Sequence, residues 1–295
     1  MFPFINLGFI KLPLYGLMIV TGILSGGAIC KKLCAVQNIN FYDFIIISAV
    51  AGGLGFAGAK LFYILDFYTP KYFFKVLGDM LLHPKSSGLI EGGFVFYGGL
   101  LGGIAGYFLG IKIAGTNART FLNTFAFAIP FVHAFGRIGC FCAGCCYGIE
   151  YTGPFSVAGH FPVQLVEAGL LFVFAFVMGV CIITRSRNKF GMTDSYVGMT
   201  EERHAEYQCH AELVSASVPL FMWYVLYYST LRFFLEFLRG DEARGSVNFG
   251  ADVSLSTSQI ISLILFAADI ILIVLIKCRK NDKVKQEEAT RIQND

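Results

Sequence analysis

An arginine, a histidine and four cysteines stand close together at the end of a long apolar stretch of this chain. The stretch runs from Phe131 to Gly148 and contains His133, Arg137, Cys140, Cys142, Cys145 and Cys146. A charged side chain at membrane depth costs at least about 2.5 kcal/mol, so such residues usually face a helix-bundle interior or a wet cavity and mark a functional site. The alternative is an arginine that extends to the lipid headgroups and anchors a helix end. Glycine is unfavourable in a helix unless the backbone must be approached closely, so the glycines of this stretch favour a site. They are Gly136, Gly139, Gly144 and Gly148.

A second group of charges ends another apolar stretch. Arg232 and Glu236 are four residues apart and Arg239 is three further on, so a helix would place all three on one face. This spacing is typical of a salt-bridge ladder at the membrane surface. Two arginines around one carboxylate also have a net positive charge, which fits a site for an anion such as a lipid phosphate.

Tyr97 and His160 are further polar side chains in apolar surroundings. The segment 91–103 around Tyr97 contains six glycines, and such glycines are most often packing faces of membrane helices. The phenol is then either interfacial or a hydroxyl group that reaches into the site. His160 precedes Pro162, which fits the first turn of a helix. The histidine is therefore either a helix-entry residue or an acid or base that titrates near neutrality.

The cysteine cluster allows three interpretations. Structural zinc prefers two separated pairs of cysteine or histidine, and the sequence offers no second pair, so we expect no metal. A redox role for Cys142 and Cys145 has the right spacing but lacks the sequence context of a redox fold. Packing, or one disulfide that faces an oxidising compartment, is the third interpretation.

The composition predicts an integral membrane protein. Hydrophobic residues make up 56% of the chain and charged residues 15%, and the mean hydropathy is +0.64, which excludes an ordinary soluble domain. The net charge of +3 comes largely from loops and the C-terminal tail, and we expect no nucleic-acid partner. Lys31 and Lys32 follow the first apolar segment where a signal peptide would have a small-residue cleavage site, so we expect a retained helix.

Seven apolar segments are long enough to cross about 30 Å of hydrocarbon, which takes about 20 residues each. They predict an all-α polytopic membrane protein, because an open sheet cannot satisfy its backbone in lipid. The expected spans are residues 11–30, 43–65, 89–114, 120–139, 163–184, 218–239 and 256–277. Basic residues follow the first, third, fifth and seventh spans. The positive-inside rule therefore places the N-terminus outside and the C-terminus in the cytoplasm.

We expect one transmembrane domain over residues 1–295 with three added segments. Residues 66–87 are aromatic and weakly charged, which predicts an interfacial arm on the outer surface. Residues 194–217 are polar and follow a basic helix end, which predicts a cytoplasmic insertion. Residues 281–295 are charged and predict a frayed cytoplasmic tail.

Motifs along nearly the whole chain resemble, in order, those of the prolipoprotein diacylglyceryl transferases. The segment from Gly136 to Phe141, leading on to Gly148, is similar to the Gly-Arg signature of that family. Tyr15-Gly16 resembles the Tyr-Gly of its first helix, and Arg232 to Glu236 resembles its Arg-Phe-x-x-Glu. Three further segments resemble its third helix, its His-Pro-x-Gln-Leu-x-Glu and the start of its last helix; they are residues 94–103, 160–167 and 256–262.

The resemblance implies an enzyme of the bacterial inner membrane that begins lipoprotein maturation. It would move the diacylglyceryl group of phosphatidylglycerol onto the lipobox cysteine of a prolipoprotein signal peptide and release glycerol phosphate. Membrane lipids would be further partners, and no cofactor is implied. The expected catalytic residues are Arg137, Arg232, His133, Tyr97 and Glu236. The expected substrate-binding residues are Tyr15, Gly98, Gly99, Gly136, Gly139, Cys140, Gly148, Gln164 and Arg239.

The chain departs from the family pattern at residues that bear on the chemistry. Tyr97-Gly98-Gly99 stands where the family has His-Gly-Gly, and Cys140 and Cys145 stand where its signature has asparagine and glutamate. His133 lies one turn before Arg137, and an unperturbed imidazole pKa of about 6.5 matches neutral pH better than a phenol pKa of about 10. We therefore expect His133 to accept the thiol proton and Tyr97 to hydrogen-bond the lipid.

Two rival functions stay open on the sequence. One is the transfer of a lipid-derived group to a different acceptor. The other is a transporter or a lipid-binding scaffold in which the arginines hold an anion without turnover. Transporters often have matching broken helices in two halves, and the sequence shows no such pairing.

Overall fold

The computed structural model describes residues 4–6, 11–67, 82, 96–194, 218–240, 246–248 and 254–294, and the structural statements below concern these residues. The chain is mostly helical, as the sequence predicts. The seven helices are α1 Leu14–Val36, α2 Phe41–Phe67, α3 Phe96–Ala114, α4 Ala118–Ala143, α5 Val163–Asp194, α6 Leu220–Glu236 and α7 Thr257–Asn294. Two antiparallel hairpins of three-residue strands accompany them: β1 Phe4–Asn6 with β2 Lys11–Pro13, and β3 Ser246–Asn248 with β4 Ser254–Ser256.

Five of the helices are long and apolar enough to cross a membrane. Their apolar parts are Leu14–Val36, Phe41–Ile64, Arg119–Ala143, Val163–Arg187 and Thr257–Cys278. The apolar part of α3, Gly98–Ala114, is shorter, and α6 has 17 residues. Large apolar side chains on these helices are exposed, for example Leu24 at 69% and Phe176 at 71%, as expected for surfaces that face lipid. The chain is therefore a multi-pass membrane protein.

Several helix limits differ from those predicted. Helix α1 begins at Leu14 and not at residue 11, because Lys11–Pro13 pairs with Phe4–Asn6 as a strand. Helix α4 continues through Ala143, so Cys140 and Cys142 lie on its last turn. Helix α6 ends at Glu236, so the prediction that Arg239 shares its face is wrong.

The predicted added segments have different outcomes. Helix α7 continues through Asn294, and the cytoplasmic tail expected over residues 281–295 stays a prediction. Of the expected arm, residues 66–87, the structure describes only Asp66 and Phe67, which end α2, and Leu82. The rest of the arm lies outside the described residues. Of the expected insertion only Asp194 is described, as the last residue of α5.

The chain divides into two compact units, Met1–Asn38 with Leu122–Asp295, and Ile39–Phe121. In the second unit the backbones of α2 and α3 lie against each other. A Cβ atom added at Gly106 would lie 2.7 Å from the α-carbon of Ala51. One added at Gly98 would collide with the carbonyl oxygen of Gly58. The glycines of α3 therefore form a packing face, as small residues do in membrane helices.

In the first unit, small residues bring α4 and α5 together. Ala134 of α4 and Ala168 of α5 are buried in one cluster with Leu171 and with Tyr224 of α6. Without a hydrophobic driving force between helices in lipid, such close packing is what holds them. Helix α1 uses Gly22 in the same way, because a Cβ atom there would lie 2.8 Å from that of Phe135. This packing fixes the rotation of α4 and so directs its polar side chains toward α5 and α6.

Candidate functional site

Arg137 and Glu167 form a buried ion pair between α4 and α5. Nη2 of Arg137 lies 2.7 Å from Oε2 of Glu167, and the two side chains are 12% and 2% exposed. Glu167 stands one turn into α5, which begins at Val163 after Pro162. A charge this deeply buried is tolerated only with a partner of opposite sign. Each side chain therefore fixes the position of the other.

The second oxygen of Glu167 faces two further groups. The Tyr228 hydroxyl of α6 donates a hydrogen bond of 3.4 Å to Oε1. Nε2 of His133 lies 3.9 Å from the same oxygen, which is too long for a hydrogen bond. The His133 and Tyr228 rings meet edge to face with their centroids 5.0 Å apart. The Glu167 carboxylate thus lies close to side chains of both α4 and α6.

The second arginine is held by α6 itself and by α7. Nη2 of Arg232 lies 2.6 Å from Oε2 of Glu236, one helical turn away, which confirms the predicted pairing along α6. The same nitrogen donates a hydrogen bond of 3.4 Å to Oγ of Ser258. Ser258 stands in the first turn of α7, and a capping box stabilises the start of this helix. The Gln259 side chain accepts a hydrogen bond of 2.9 Å from the Ser256 amide. The Ser256 hydroxyl accepts one of 3.2 Å from the Gln259 amide.

Both arginines keep a buried nitrogen available. Among the described residues, Nε of Arg137 and Nη1 of Arg232 have no hydrogen-bond partner although both atoms are buried. An unsatisfied buried donor costs about 1–3 kcal/mol, and more when it carries charge. The charges of both arginines also act on His133 and on Tyr228, so the two ion pairs flank the same aromatic side chains. The two guanidinium groups can therefore bind one anion between them.

A loop after α4 pairs with the chain beyond α6. The Ile149 amide donates to the Leu238 carbonyl at 3.0 Å, and the Gly240 amide donates to the Tyr147 carbonyl at 3.2 Å. A Cβ atom at Gly148 would collide with the Phe161 carbonyl, so the loop needs glycine there. Through this pairing Arg239, which lies beyond α6, reaches the cysteine segment.

Three of the four cysteines converge where α4 ends. The sulfur atoms of Cys140, Cys145 and Cys146 all lie within 4.8 Å of one another. Gly144 makes the turn between them with a φ of 75°, and Nε2 of Gln164 donates to the Cys145 carbonyl at 2.8 Å. All three thiols are free, as is that of Cys142.

The thiols after α4 differ in their protonation. The Cys140 thiol hydrogen-bonds the sulfur of Cys146 and lowers the pKa of Cys146 to about 5; Arg239 acts in the same direction, while burial opposes both. Burial raises the pKa of Cys145. The segment therefore favours a thiolate at Cys146 and a thiol at Cys145.

The other predicted residues are placed as follows. A Cβ atom at Gly139 would lie 3.0 Å from the Tyr15 ring, while one at Gly136 would meet open space. Gly98 and Gly99 of α3 stand against the backbone and side chains of α2. The side chain of Tyr97 lies outside the description, so the structure brings together His133, Arg137, Arg232 and Glu236 but leaves the role of Tyr97 a prediction.

Three contributors were not assigned a role from the sequence: Glu167, Tyr228 and Ser258. Glu167 had a signal, because it is the one acidic residue in the apolar segment 163–187, and an intramembrane arginine calls for such a partner. Tyr228 stands in an aromatic run that gives no indication of which ring faces the site.

A comparison with protein families shows the family to which the chain belongs. The family model described as prolipoprotein diacylglyceryl transferase matches residues 3–200 and 207–275. The chain belongs to this family. The gap in the prolipoprotein diacylglyceryl transferase match, residues 201–206, falls within the predicted insertion, and every residue of the two ion pairs lies in the matched ranges.

Two relatives of this family match over most of their length, and a third matches over about half. A phosphatidylglycerol–prolipoprotein diacylglyceryl transferase of Clostridium tetani is 28% identical over 286 residues, 92% of this chain and 96% of the relative. The second such transferase of Clostridium perfringens is 30% identical over 275 residues, 89% of this chain and 90% of the relative. One of Fusobacterium nucleatum is 35% identical over 164 residues, 52% of this chain and 51% of the relative.

Proposed function

We propose that this chain transfers the diacylglyceryl group of phosphatidylglycerol to the lipobox cysteine thiol of prolipoproteins. Membership of the family and the names of its relatives support the activity. The observation that carries the assignment of the site is the pair of buried guanidinium groups, each with a nitrogen that has no partner among the described residues. A phosphodiester supplies the oxygens that such nitrogens need.

The reaction breaks a carbon–oxygen bond and forms a carbon–sulfur bond. The substrate thiol loses its proton, the sulfur attacks the glyceryl carbon attached to the phosphate oxygen, and glycerol phosphate leaves with the bonding electron pair. Arg137 and Arg232 stabilise the charge that grows on the leaving phosphate, in a buried site where such contacts are worth more than in water. Their carboxylate partners, Glu167 and Glu236, keep both guanidinium groups in place before the lipid arrives.

His133 accepts the thiol proton in this proposal. Glu167 lies 3.9 Å from its Nε2, near enough to stabilise the imidazolium that forms. A buried carboxylate beside a catalytic histidine acts in this way in hydrolytic triads. Tyr97 hydrogen-bonds the lipid, and Gly136 of α4, where an added Cβ atom would meet open space, leaves room for the substrates.

The proposal places seven spans in the bacterial inner membrane. Helices α3 and α6 complete the five spans already described, with the N-terminus outside and the C-terminus in the cytoplasm according to the basic residues. The two ion pairs and the cysteines then lie toward the outer face, where lipobox cysteines are presented. Residues 66–87 form an outer arm, and residues 194–217 and 281–295 are cytoplasmic.

The test uses purified protein with phosphatidylglycerol and a lipobox peptide in mixed micelles. We expect a thioether-linked diacylglyceryl peptide by mass spectrometry, and none with a peptide whose cysteine is replaced by serine. Restored growth of a cell depleted of its own transferase is the matching experiment in vivo. Phosphatidylglycerol binding without product would instead favour a lipid-binding scaffold, and product with an unrelated thiol peptide alone would favour a different acceptor.

A further inference from the structure

The three converging cysteines form a ligand set that the proposed mechanism does not use. Cys140 comes from the last turn of α4, and Cys145 and Cys146 come from the turn that follows it. Thiolates bound to zinc lie about 2.3 Å from the metal, which places sulfur atoms of a tetrahedral site about 3.8 Å apart. The observed limit of 4.8 Å is within small side-chain rotations of that geometry.

The backbone already holds this ligand set in place. The Cys145 amide donates to the Cys140 carbonyl at 3.1 Å, and the Gly144 amide donates to the Phe141 carbonyl at 3.2 Å. Gln164 of α5 holds the Cys145 carbonyl from the other side. Metal ligands are oriented by hydrogen bonds of this kind around them. Arg239 contacts Cys146, and its positive charge offsets the negative charge that three thiolates leave on a divalent cation.

The number of ligands indicates the kind of site. Structural zinc sites have four protein ligands, whereas catalytic zinc sites have three and keep the fourth position for water or substrate. Within the described residues, no histidine, aspartate, glutamate or fourth cysteine joins the three sulfurs. The expectation of no metal was based on the four-ligand rule, which does not apply to an open site.

We propose that Cys140, Cys145 and Cys146 bind a soft divalent cation such as Zn²⁺ and leave its fourth position open to the lipobox thiol. The identity of the fourth ligand rests on the proposed function. The three cysteine thiols release their protons to solvent as they bind, and the substrate thiol gives its proton to His133, since a thiol that coordinates a metal is deprotonated. The metal keeps its oxidation state. The coordinated substrate sulfur then forms the carbon–sulfur bond, while the phosphate leaves toward Arg137, one turn before Cys140.

The first experiment measures metal in full-length protein purified under reducing conditions without chelators. We expect about one zinc ion per chain, as for a three-thiolate site, and a loss of most of it in Cys140→Ser, Cys145→Ser and Cys146→Ser. Cys142→Ser is the matched control and keeps its zinc, because its sulfur is outside the cluster. Cys145→His retains a ligand and recovers zinc binding, which separates lost coordination from misfolding.

The second experiment replaces zinc by Co²⁺ and records the thiolate-to-cobalt absorption bands. We expect these bands in the wild-type protein and a change in them when a lipobox peptide is added. The peptide with serine in place of cysteine leaves the spectrum as it was. An unchanged spectrum with the cysteine peptide would remove the substrate thiol from the fourth position.

The outcomes for the metal and for the transfer activity are independent. Wild-type protein that stays below about a tenth of an ion per chain after zinc loading would overturn the site, as would zinc retained by the triple serine variant or a disulfide that joins two of the three cysteines in the active protein. Transfer by protein that holds no metal sinks this inference and leaves the proposed function intact. A zinc-loaded protein that makes no product does the reverse.

Discussion

Removing the charge of Glu167 is the sharpest test of the buried network. Glu167→Gln keeps the size of the side chain but leaves the Arg137 guanidinium, 12% exposed, without its counter-charge. Removing one partner of a buried ion pair costs about 3–5 kcal/mol of stability. A loss of this size lowers the unfolding temperature strongly, because the whole stability of a domain is only about 5–15 kcal/mol.

The activity should fall as well, because Arg137 loses the group that orients it. Removal of one buried donor that stabilises a transition-state anion lowers kcat by about 10²–10³, and we expect Glu167→Gln to lose activity within that range. Thermal unfolding in detergent and initial rates of peptide lipidation measure the two effects. Glu150→Gln is the matched control, since Glu150 is an exposed acidic residue of the loop after α4, and it should keep wild-type stability.

A double variant separates the cost of a stranded charge from the value of the pair. Replacing both Arg137 and Glu167 by methionine removes the charges together, and such replacements are often neutral for stability. We expect the double variant to regain most of the stability that Glu167→Gln loses while it remains inactive. Wild-type stability and rate in Glu167→Gln, or a double variant as unstable as the single one, would refute the reasoning.

Other predictions concern the arginines, the proton acceptor and the loop. Arg137→Lys and Arg232→Lys should each lose most of the activity with little loss of stability, because a point charge cannot reproduce the planar fork of a guanidinium; full turnover by either variant in the lipidation assay would remove that arginine from phosphate binding. His133→Gln should lower the rate of transfer, because it removes the proposed proton acceptor. Tyr97→Phe should chiefly weaken lipid binding; an inactive Tyr97→Phe beside an unaffected His133→Gln would transfer the base role to the phenol. Gly148→Ala should lower the unfolding temperature, because the added Cβ collides with the Phe161 carbonyl, while Gly169→Ala on α5, where nothing lies within 4 Å, should be neutral or slightly stabilising; equal effects of the two would contradict the role of the loop pairing.

The sequence predicts best what depends on neighbours along the chain. The apolar segments predict the seven helices of the described residues, and the spacing of Arg232 and Glu236 predicts their contact because both residues stand on one helix. Arg137 and Glu167 are 30 residues apart in the chain, and nothing in the local pattern specifies which face of α5 meets α4. The predicted start of α1 was wrong for a related reason. Residues 11–13 pair with residues 4–6 as a strand, and this pairing overrides the apolar pattern.

The cysteine cluster shows how a change in a helix end alters the chemistry inferred from spacing. With α4 ending at residue 139, the four cysteines would form a loop in which any two could pair. Helix α4 continues through Ala143, so Cys140 and Cys142 project from the helix in different directions. The turn at Gly144 then returns Cys145 and Cys146 to Cys140 alone. The arrangement excludes Cys142 from the group of three, although Cys142 and Cys145 have the spacing of a redox pair.

The pairing of charges explains how two arginines can remain buried before any lipid binds. Arg137 with Glu167, and Arg232 with Glu236, are each neutral as a pair, so the site does not hold uncompensated charge at membrane depth. The pairs use only part of each guanidinium, because a nitrogen of each arginine has no partner among the described residues. In the proposed function, an arriving phosphate would therefore gain hydrogen bonds without having to break either ion pair. In that proposal the contacts strengthen as negative charge grows on the departing phosphate, so the stabilisation is greatest in the transition state, where it accelerates the reaction.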